Sequence, residues 1–127
     1  MRITEFFTKQ FCSYDLSKRI DALGVKRECL FRYAFYKGKW APVYVNDLRR
    51  GTSDPLTDFI PAYTVAELGE MLPELTHTVK ERLSDRSFRW HCYVAGRLGK
   101  DTQEGWSEAD ARAKMLIHLL ENKLVTL

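Results

Sequence analysis

The spacing of apolar side chains predicts three amphipathic helices, two of them short. The first begins at Ser13, whose hydroxyl can cap the opening turn, and ends at Gly24, a residue that favours the left-handed helix stop. The second begins at Thr64, which forms a T-x-x-E capping box with Glu67, and ends at Pro73. Their apolar stripes are Leu16, Ile20 and Leu23 in the first helix and Val65, Leu68 and Leu72 in the second.

The third predicted helix runs from Ser107 to Leu124. Ser107 can cap it, with Asp110 as its third helical residue. Trp106, immediately before the cap, is expected to act as a hydrophobic staple. Burial of each aliphatic side chain is worth about 1.5–3 kcal/mol, so this helix should anchor the fold. Its predicted buried face consists of Ala109, Ala113, Leu116, Leu120 and Leu124, with Ile117 alongside.

Alternating apolar and polar residues predict strands between the helices. Leu30–Tyr36 and Trp40–Val45 should form a β-hairpin, in which Pro42 favours an edge position for the second strand. For Trp40, packing against the core is favoured over a role as an exposed anchor. The polar segment Asn46–Phe59 is expected to be a loop.

A second hairpin is predicted before the last helix. The pattern of Leu75–Leu83 fits a strand or a short helix, and the strand is favoured because Ser87–Ala95 alternates clearly. Gly96–Gly105 is expected to be a loop. The predicted order is therefore αββαββα, a single α+β domain over residues 1–127, with an antiparallel sheet of about four strands covered by three helices.

Composition places this chain among ordinary globular proteins. Of its 127 residues, 45% are hydrophobic and 29% are charged. The opening segment does not resemble a signal peptide, and no apolar stretch approaches the roughly 20 residues needed to span a bilayer. Three widely spaced cysteines suggest reduced thiols. We therefore expect a cytoplasmic protein that does not contact a membrane.

The charge of the chain is unevenly distributed. Its net charge is only +3, too small for a general argument for nucleic-acid or membrane binding. The window Lys80–Lys100 contains six basic and two acidic residues, a net charge of +4. This basic window is the electrostatic asymmetry that a ligand could use.

Three blocks of the chain carry a family resemblance. They are Cys12–Leu30 (CSYDLSKRIDALGVKRECL), Tyr63–Pro73 (YTVAELGEMLP) and Glu108–Leu124. In this order they resemble a family of small proteins, without an assigned activity, that recur in bacteriophages and integrated prophages. The resemblance covers most of the chain apart from Asn46–Phe59 and Leu75–Gly105. It implies a phage origin and supports the helical core, and it assigns no functional residue.

No catalytic or metal-binding motif is recognisable. The chain lacks the glycine-rich nucleotide fingerprints, the G-x-S-x-G elbow and the Cys/His metal spacings. His77, His91 and His118 fall on three different predicted elements, which disfavours a metal site. We therefore expect a protein that is not an enzyme and needs no cofactor.

The strand Ser87–Ala95 provides the candidate binding residues. If its apolar positions face the core, then Arg89, His91 and Tyr93 project together from the other face. A cation, an imidazole and a phenol in one row suit a phosphate or a nucleotide, although a solvated sheet face would show the same alternation. The predicted ligand-binding residues are Arg89, His91, Tyr93, Arg97 and Lys100.

Three functional hypotheses follow. The first is a phage-encoded accessory protein that acts by binding. Its specific form is a counter-defence role, in which the protein captures a host nucleotide signal or a host protein. The second is nucleic-acid binding through the basic 80–100 patch, with steeply salt-dependent affinity. The third is a structural or assembly role in the phage, through a defined homo-oligomer.

Overall fold

The helices and strands follow the predicted order. The computed structural model describes residues 9–25, 27, 29–36, 38–44, 60–96 and 101–125. The predicted α+β class is confirmed, and the order αββαββα is matched except for a short extra strand, β5, within the predicted loop 96–105. The predicted loop 46–59 lies outside the described residues. The elements are α1 (Tyr14–Ala22), β1 (Phe31–Tyr36), β2 (Lys39–Tyr44), α2 (Val65–Met71), β3 (Thr76–Arg82), β4 (Phe88–Val94), β5 (Gln103–Gly105) and α3 (Glu108–Glu121).

The predicted helix boundaries are formed by local hydrogen bonds. The Ser13 hydroxyl accepts a bond from the Leu16 amide, and Gly24 has a φ of +87° beyond the end of α1. At α2, the Thr64 side chain accepts from the Glu67 amide while the Glu67 carboxylate accepts from the Thr64 amide. These reciprocal bonds satisfy backbone donors that the first turn leaves free, which is why both helices begin where the sequence predicts.

The buried side of α1 differs from its predicted stripe. Leu16 and Ile20 are buried as expected, but Leu23 is 39% exposed. Ser17 is fully buried instead, with its hydroxyl 3.0 Å from the Cys12 sulfur. A buried hydroxyl requires a hydrogen-bond partner, and the thiol supplies one, so a polar residue is accommodated in the core at this position.

The long helix α3 is buried around most of its circumference. It contacts α1 and α2 as well as β3, β4 and β5, so it needs apolar residues on more than the single predicted stripe. Leu120 is partly buried and packs against the core, but Leu124 lies beyond the helix and is 40% exposed, so the predicted stripe was wrong at Leu124. The buried residues of α3 are Ala109, Ala111, Ala113, Met115, Leu116, Ile117 and Leu119.

The strands form two separate sheets, so the prediction of one sheet of about four strands was wrong. One sheet is the β1–β2 hairpin, and the other has the order β3–β4–β5, with antiparallel pairing throughout. The segment 75–83, which the sequence left open between strand and helix, is the strand β3.

Hydrogen bonds at the strand edges keep the two sheets apart. The Tyr33 amide donates to the Ile60 carbonyl at 2.9 Å, and the Ala62 amide donates to the Phe31 carbonyl at 3.0 Å. The segment before α2 therefore occupies the edge of β1 that β2 leaves free. In the other sheet, β4 has β3 on one edge and β5 on the other. Because both edges of β1 and of β4 are occupied, the hairpins cannot merge through these strands.

The β1–β2 hairpin packs through an aromatic face. Cross-strand register places Phe31 opposite Tyr44 and Phe35 opposite Trp40. The Phe31 ring packs edge-on against Phe11, with centroids 4.9 Å apart. This contact fixes the hairpin against the segment that leads into α1.

Two glycines allow other groups to approach the backbone closely. A Cβ at Gly105 would lie 2.6 Å from the Ala111 backbone nitrogen, so the end of β5 can lie against the first turn of α3 only without a side chain. At Gly69, the guanidinium of Arg112 occupies the space of a side chain and donates to the Val65 carbonyl at 2.8 Å. This contact explains a glycine inside α2, where it would otherwise cost about 1 kcal/mol relative to alanine.

Candidate functional site

The row predicted on β4 lies on one face of the three-stranded sheet. Cys92 and Val94 are buried in the core with α3, so the alternate residues of β4 face the other way. We call this side the outer face and the side that packs against α3 the inner face. On the outer face, Arg89, His91 and Tyr93 lie opposite Glu81, Val79 and His77 of β3.

Two glutamates from the flanking strands enclose Arg89 and His91. The Arg89 guanidinium lies 3.1 Å from Glu81 and 3.2 Å from Glu104, each through a different nitrogen. The His91 ring lies 3.4 Å from Glu81 and 3.5 Å from Glu104. We call these four residues the outer-face cluster. With His91 neutral, the cluster has one positive charge and two negative charges.

Hydrogen bonding and charge both hold the outer-face cluster together, since the Arg89 guanidinium donates to the Glu81 carboxylate at 3.1 Å. His91 Nε2 is buried and has no aligned hydrogen-bond partner among the residues described, although the Glu81 carboxylate is close. The His91 ring, followed by the Arg89 guanidinium, lowers the pKa of the Glu81 carboxyl below its ordinary value. The charged form of Glu81 is therefore favoured here. A phosphate that approached Arg89 would have to compete with two carboxylates already in place.

The remaining predicted binding residues do not join Arg89 in one open site. The Tyr93 ring stacks on His77, with centroids 5.4 Å apart. Arg97 and Lys100 lie outside the described residues. Lys80 pairs with Trp90 across the strands and therefore belongs to the inner face. The basic window of the sequence is thus divided between opposite faces of the sheet.

Two adjacent cavities on the other side of the molecule involve all three tryptophans. The β4 cavity, of about 510 Å³, is lined by residues that include Lys80, Phe88 and Trp90. The hairpin cavity, of about 400 Å³, is lined by residues that include Tyr14, Tyr33, Trp40 and Asp110. Lys9, Trp106 and Ser107 line both cavities.

The ammonium group of Lys80 lies over aromatic rings in the β4 cavity. Its Nζ is 4.2 Å from the centroid of the Phe88 ring and 5.8 Å from that of the Trp90 ring. Within the described ranges, no carboxylate lies close enough to Lys80 to form an ion pair. The rings hold the cation in place without neutralising its charge.

The acidic residue that lines the β4 cavity, Glu108, is already paired with other side chains. Glu108 lines the β4 cavity, but one of its oxygens accepts a hydrogen bond from the Thr78 hydroxyl at 2.5 Å. The same oxygen lies 3.2 Å from the Arg112 guanidinium. Glu108 is therefore compensated by Arg112, and the positive charge of Lys80 stays available to a ligand.

Trp106 stands between the cavities and is 68% exposed. The prediction that it acts as a hydrophobic staple was therefore wrong, because a staple packs against the helix it precedes. Phe88, predicted to face the core, is 43% exposed at the β4 cavity. The sequence did not predict this site because its lining residues come from distant parts of the chain. The feature of the sequence that could have indicated it is Trp106, a bulky aromatic residue next to a helix cap.

The three cysteines are poorly suited to nucleophilic chemistry. Burial raises the pKa of the Cys12 thiol to about 12 and those of Cys29 and Cys92 to about 11. The thiolate, which is the reactive form, is therefore strongly disfavoured near neutral pH.

The histidines occupy three separate environments. His77 stacks on Tyr93, His91 belongs to the outer-face cluster, and the His118 ring lies 3.1 Å from Asp101. In the part of the chain that the structure describes, no group of three or more His, Cys, Asp and Glu residues is arranged to hold a metal ion. No helix there is both long and apolar enough to cross a bilayer.

Comparison of the chain with protein-family models, with curated proteins and with solved structures finds no match in any of the three. Function is therefore inferred from the geometry of this molecule.

Proposed function

We propose that this protein acts by binding, without catalysis, and that it holds a nucleotide-like anion in the β4 cavity. The observation that carries the proposal is the position of Lys80, whose ammonium lies over Phe88 and Trp90. A cation held by aromatic faces keeps its charge for a phosphate oxygen. Lys9 lines the same cavity and adds a second positive charge.

The aromatic rings at the mouth of the cavity suit the base of a nucleotide. Phe88 is 43% exposed and Trp106 is 68% exposed, so both offer ring surface to a ligand. Stacking of a base on an aromatic side chain is worth about 1–3 kcal/mol. The volume of about 510 Å³ also lies within the range of small-molecule sites, roughly 300–1,000 Å³.

We therefore expect the phosphate to bind at Lys80 and not at the predicted residues of the outer face. Arg89 and His91 share the carboxylates of Glu81 and Glu104, which compete with any anion. Lys80 has no such competitor among the described residues. The expected contribution of Arg97 and Lys100 stays a prediction.

For the biological role, we propose a phage-encoded accessory protein that captures a host nucleotide signal and so acts against host defence in the bacterial cytoplasm. The resemblance of three sequence blocks to phage and prophage proteins supports the origin. Capture requires tight, stoichiometric binding and no chemical step, which agrees with a cavity that combines stacking surface and positive charge.

The test is calorimetric titration with a panel of mononucleotides, dinucleotides and cyclic nucleotides. We expect at least one to saturate the protein at one ligand per chain. Lys80→Glu should weaken that binding by at least about tenfold, which corresponds to 1.4 kcal/mol. Lys18→Glu is the matched control, because Lys18 is exposed on α1 and lines neither cavity. The absence of saturable binding, or equal losses in the two variants, would contradict the proposal.

Single-stranded nucleic acid is the second candidate ligand. The observation that favours it is the presence of tryptophans in two adjoining cavities, which could stack successive bases. Binding of a labelled oligonucleotide should then weaken steeply between about 50 and 200 mM salt, because phosphate contacts release counterions. A mononucleotide site should show a weaker salt dependence. A defined oligomer without either ligand would instead support the structural or assembly role.

A further inference from the structure

The aromatic face of the β1–β2 hairpin gives the hairpin cavity fixed walls. The Tyr14 ring stacks on the Trp40 ring, with centroids 4.2 Å apart and planes 6° from parallel. The Tyr33 ring meets Tyr14 edge-on, at 5.5 Å and 84°. The Tyr33 hydroxyl donates to the Cys12 carbonyl, which anchors that ring. The Phe35 ring also contacts Trp40, with centroids 5.2 Å apart, but Trp40 is still 42% exposed, so part of its surface is open to a ligand.

A carboxylate with spare hydrogen-bonding capacity lines the same cavity. Asp110 accepts one hydrogen bond, from the Ser13 amide at 2.8 Å. A carboxylate has about four acceptor sites, so the described residues leave most of its capacity unused. No ammonium or guanidinium group of the described residues forms an ion pair with it. Burial raises the pKa of Asp110 above its ordinary value, and the Ser13 amide and the Lys114 ammonium offset this effect only in part.

We propose that the hairpin cavity is a separate binding site for a small organic ammonium cation, with Asp110 as the counter-charge and the indoles of Trp40 and Trp106 as its aromatic faces. Indole rings attract such cations more strongly than phenyl rings do. An alkylammonium ion also carries apolar surface, which the walls of the cavity can cover. The volume of about 400 Å³ accommodates a ligand of this class.

The charge of the lining distinguishes this site from the β4 cavity. Lys80 lines only the β4 cavity, and Asp110 lines only the hairpin cavity. Lys9 lines both and is exposed. Its charge therefore favours an anion in one cavity and opposes a cation in the other. The ammonium site uses neither Lys80 nor Phe88, so an ammonium ion can bind there whether or not the β4 cavity binds a nucleotide.

The test compares tetramethylammonium with tert-butanol, a neutral probe of similar shape, by following the indole N–H signals in ¹H–¹⁵N spectra. Tetramethylammonium should shift the Trp40 and Trp106 signals saturably, and the alcohol should not. Asp110→Asn should weaken binding by about tenfold, because it removes the charge but keeps an oxygen to accept from the Ser13 amide. Asp15→Asn is the control, since Asp15 is exposed on α1 and lines neither cavity.

Two further variants keep the result decisive if Asp110→Asn folds poorly. Trp40→Phe retains a ring and should weaken binding of the ammonium ion severalfold. Lys9→Gln should strengthen ammonium binding while it weakens nucleotide binding in the other cavity. Equal responses to the two probes, shifts confined to Trp90, or unchanged affinity in both Asp110→Asn and Trp40→Phe would each overturn the proposal.

Discussion

The two faces of the β3–β4–β5 sheet present their positive charges in opposite ways. On the outer face, Arg89 lies between Glu81 and Glu104 and is neutralised by them. On the inner face, Lys80 lies over the rings of Phe88 and Trp90. The outer face is the more polar of the two in sequence, yet the inner face has the more accessible charge. What a ligand can use is therefore decided by the neighbours of a cation, and the number of cations is a poor guide.

The difference between the faces depends on which groups the neighbouring acidic side chains contact. Glu104 comes from β5, a strand that the sequence pattern did not predict, and it closes the outer-face cluster from one side. Glu108 begins α3 and lines the β4 cavity, but its carboxylate is already paired with Arg112 and Thr78. Ion pairs thus neutralise Arg89, while Lys80 has no carboxylate partner among the described residues.

Gly105→Ala should disrupt the packing of β5 against α3 and cause the largest loss of stability among these variants. The new Cβ would lie 2.6 Å from the Ala111 backbone nitrogen, so β5 and α3 would have to separate. We expect a loss of about 3 kcal/mol in the free energy of unfolding, measured by urea denaturation. Gly96→Ala is the control, because Gly96 has a φ of +89° and open space around it. That variant should lose only about 1 kcal/mol through backbone strain. A larger loss in the control would argue against the close approach.

Freeing Arg89 should make the outer face resemble the inner one. The double variant Glu81→Gln with Glu104→Gln removes both competing carboxylates and keeps side chains of similar size. We expect it to gain affinity for ATP by about tenfold over wild type in calorimetric titration, because the guanidinium becomes available to phosphate. Adding Arg89→Gln should abolish this gain. The same Arg89→Gln change in the wild-type background should alter ATP affinity little, and a large loss there would restore the outer face as the principal site.

The smallest expected effect concerns the pH dependence of stability, to which the carboxyl groups of Glu81 and Asp110 contribute in opposite directions. The pKa of Glu81 is lowered in the folded protein, so its contribution to stability is present above its ordinary pKa and is lost as the pH falls through the lowered value. The pKa of Asp110 is raised by burial, so acidification through its raised value relieves an unfavourable charge and stabilises the fold.

These signs predict opposite outcomes for two neutralising variants. Glu81→Gln should flatten the loss of stability on acidification, and Asp110→Asn should make that loss steeper. Urea midpoints measured at intervals between about pH 3 and 7 provide the comparison. If both variants changed the loss of stability on acidification in the same direction, the environment of Glu81 or that of Asp110 would be assigned incorrectly.

Local sequence signals predicted much of the secondary structure because the interactions that decide it are local. The caps at Ser13 and Thr64 each involve residues within three positions. The alternation in 88–94 correctly separated the buried Cys92 and Val94 from Arg89. These features depend on short-range hydrogen bonds and on the period of a strand.

The failures arose where distant residues meet. One four-stranded sheet was expected, but the segment 60–62 pairs with β1, and nothing in its composition marks it as a strand partner. The candidate row on β4 was placed on the correct face, yet its neutralisation by Glu104 depends on β5. The cavities were missed for the same reason, since they combine Lys9 with residues from the hairpin, β4 and the start of α3.

Trp106 has a thermodynamic consequence that follows from its place between the cavities. If both cavities bind their proposed ligands, each ligand lies against the same indole, and the two binding equilibria can be linked through that side chain. Whatever factor an ammonium ion introduces into the affinity for a nucleotide, the nucleotide must introduce into the affinity for the ammonium ion. One exposed tryptophan would thereby make two chemically opposite pockets reciprocal effectors of each other.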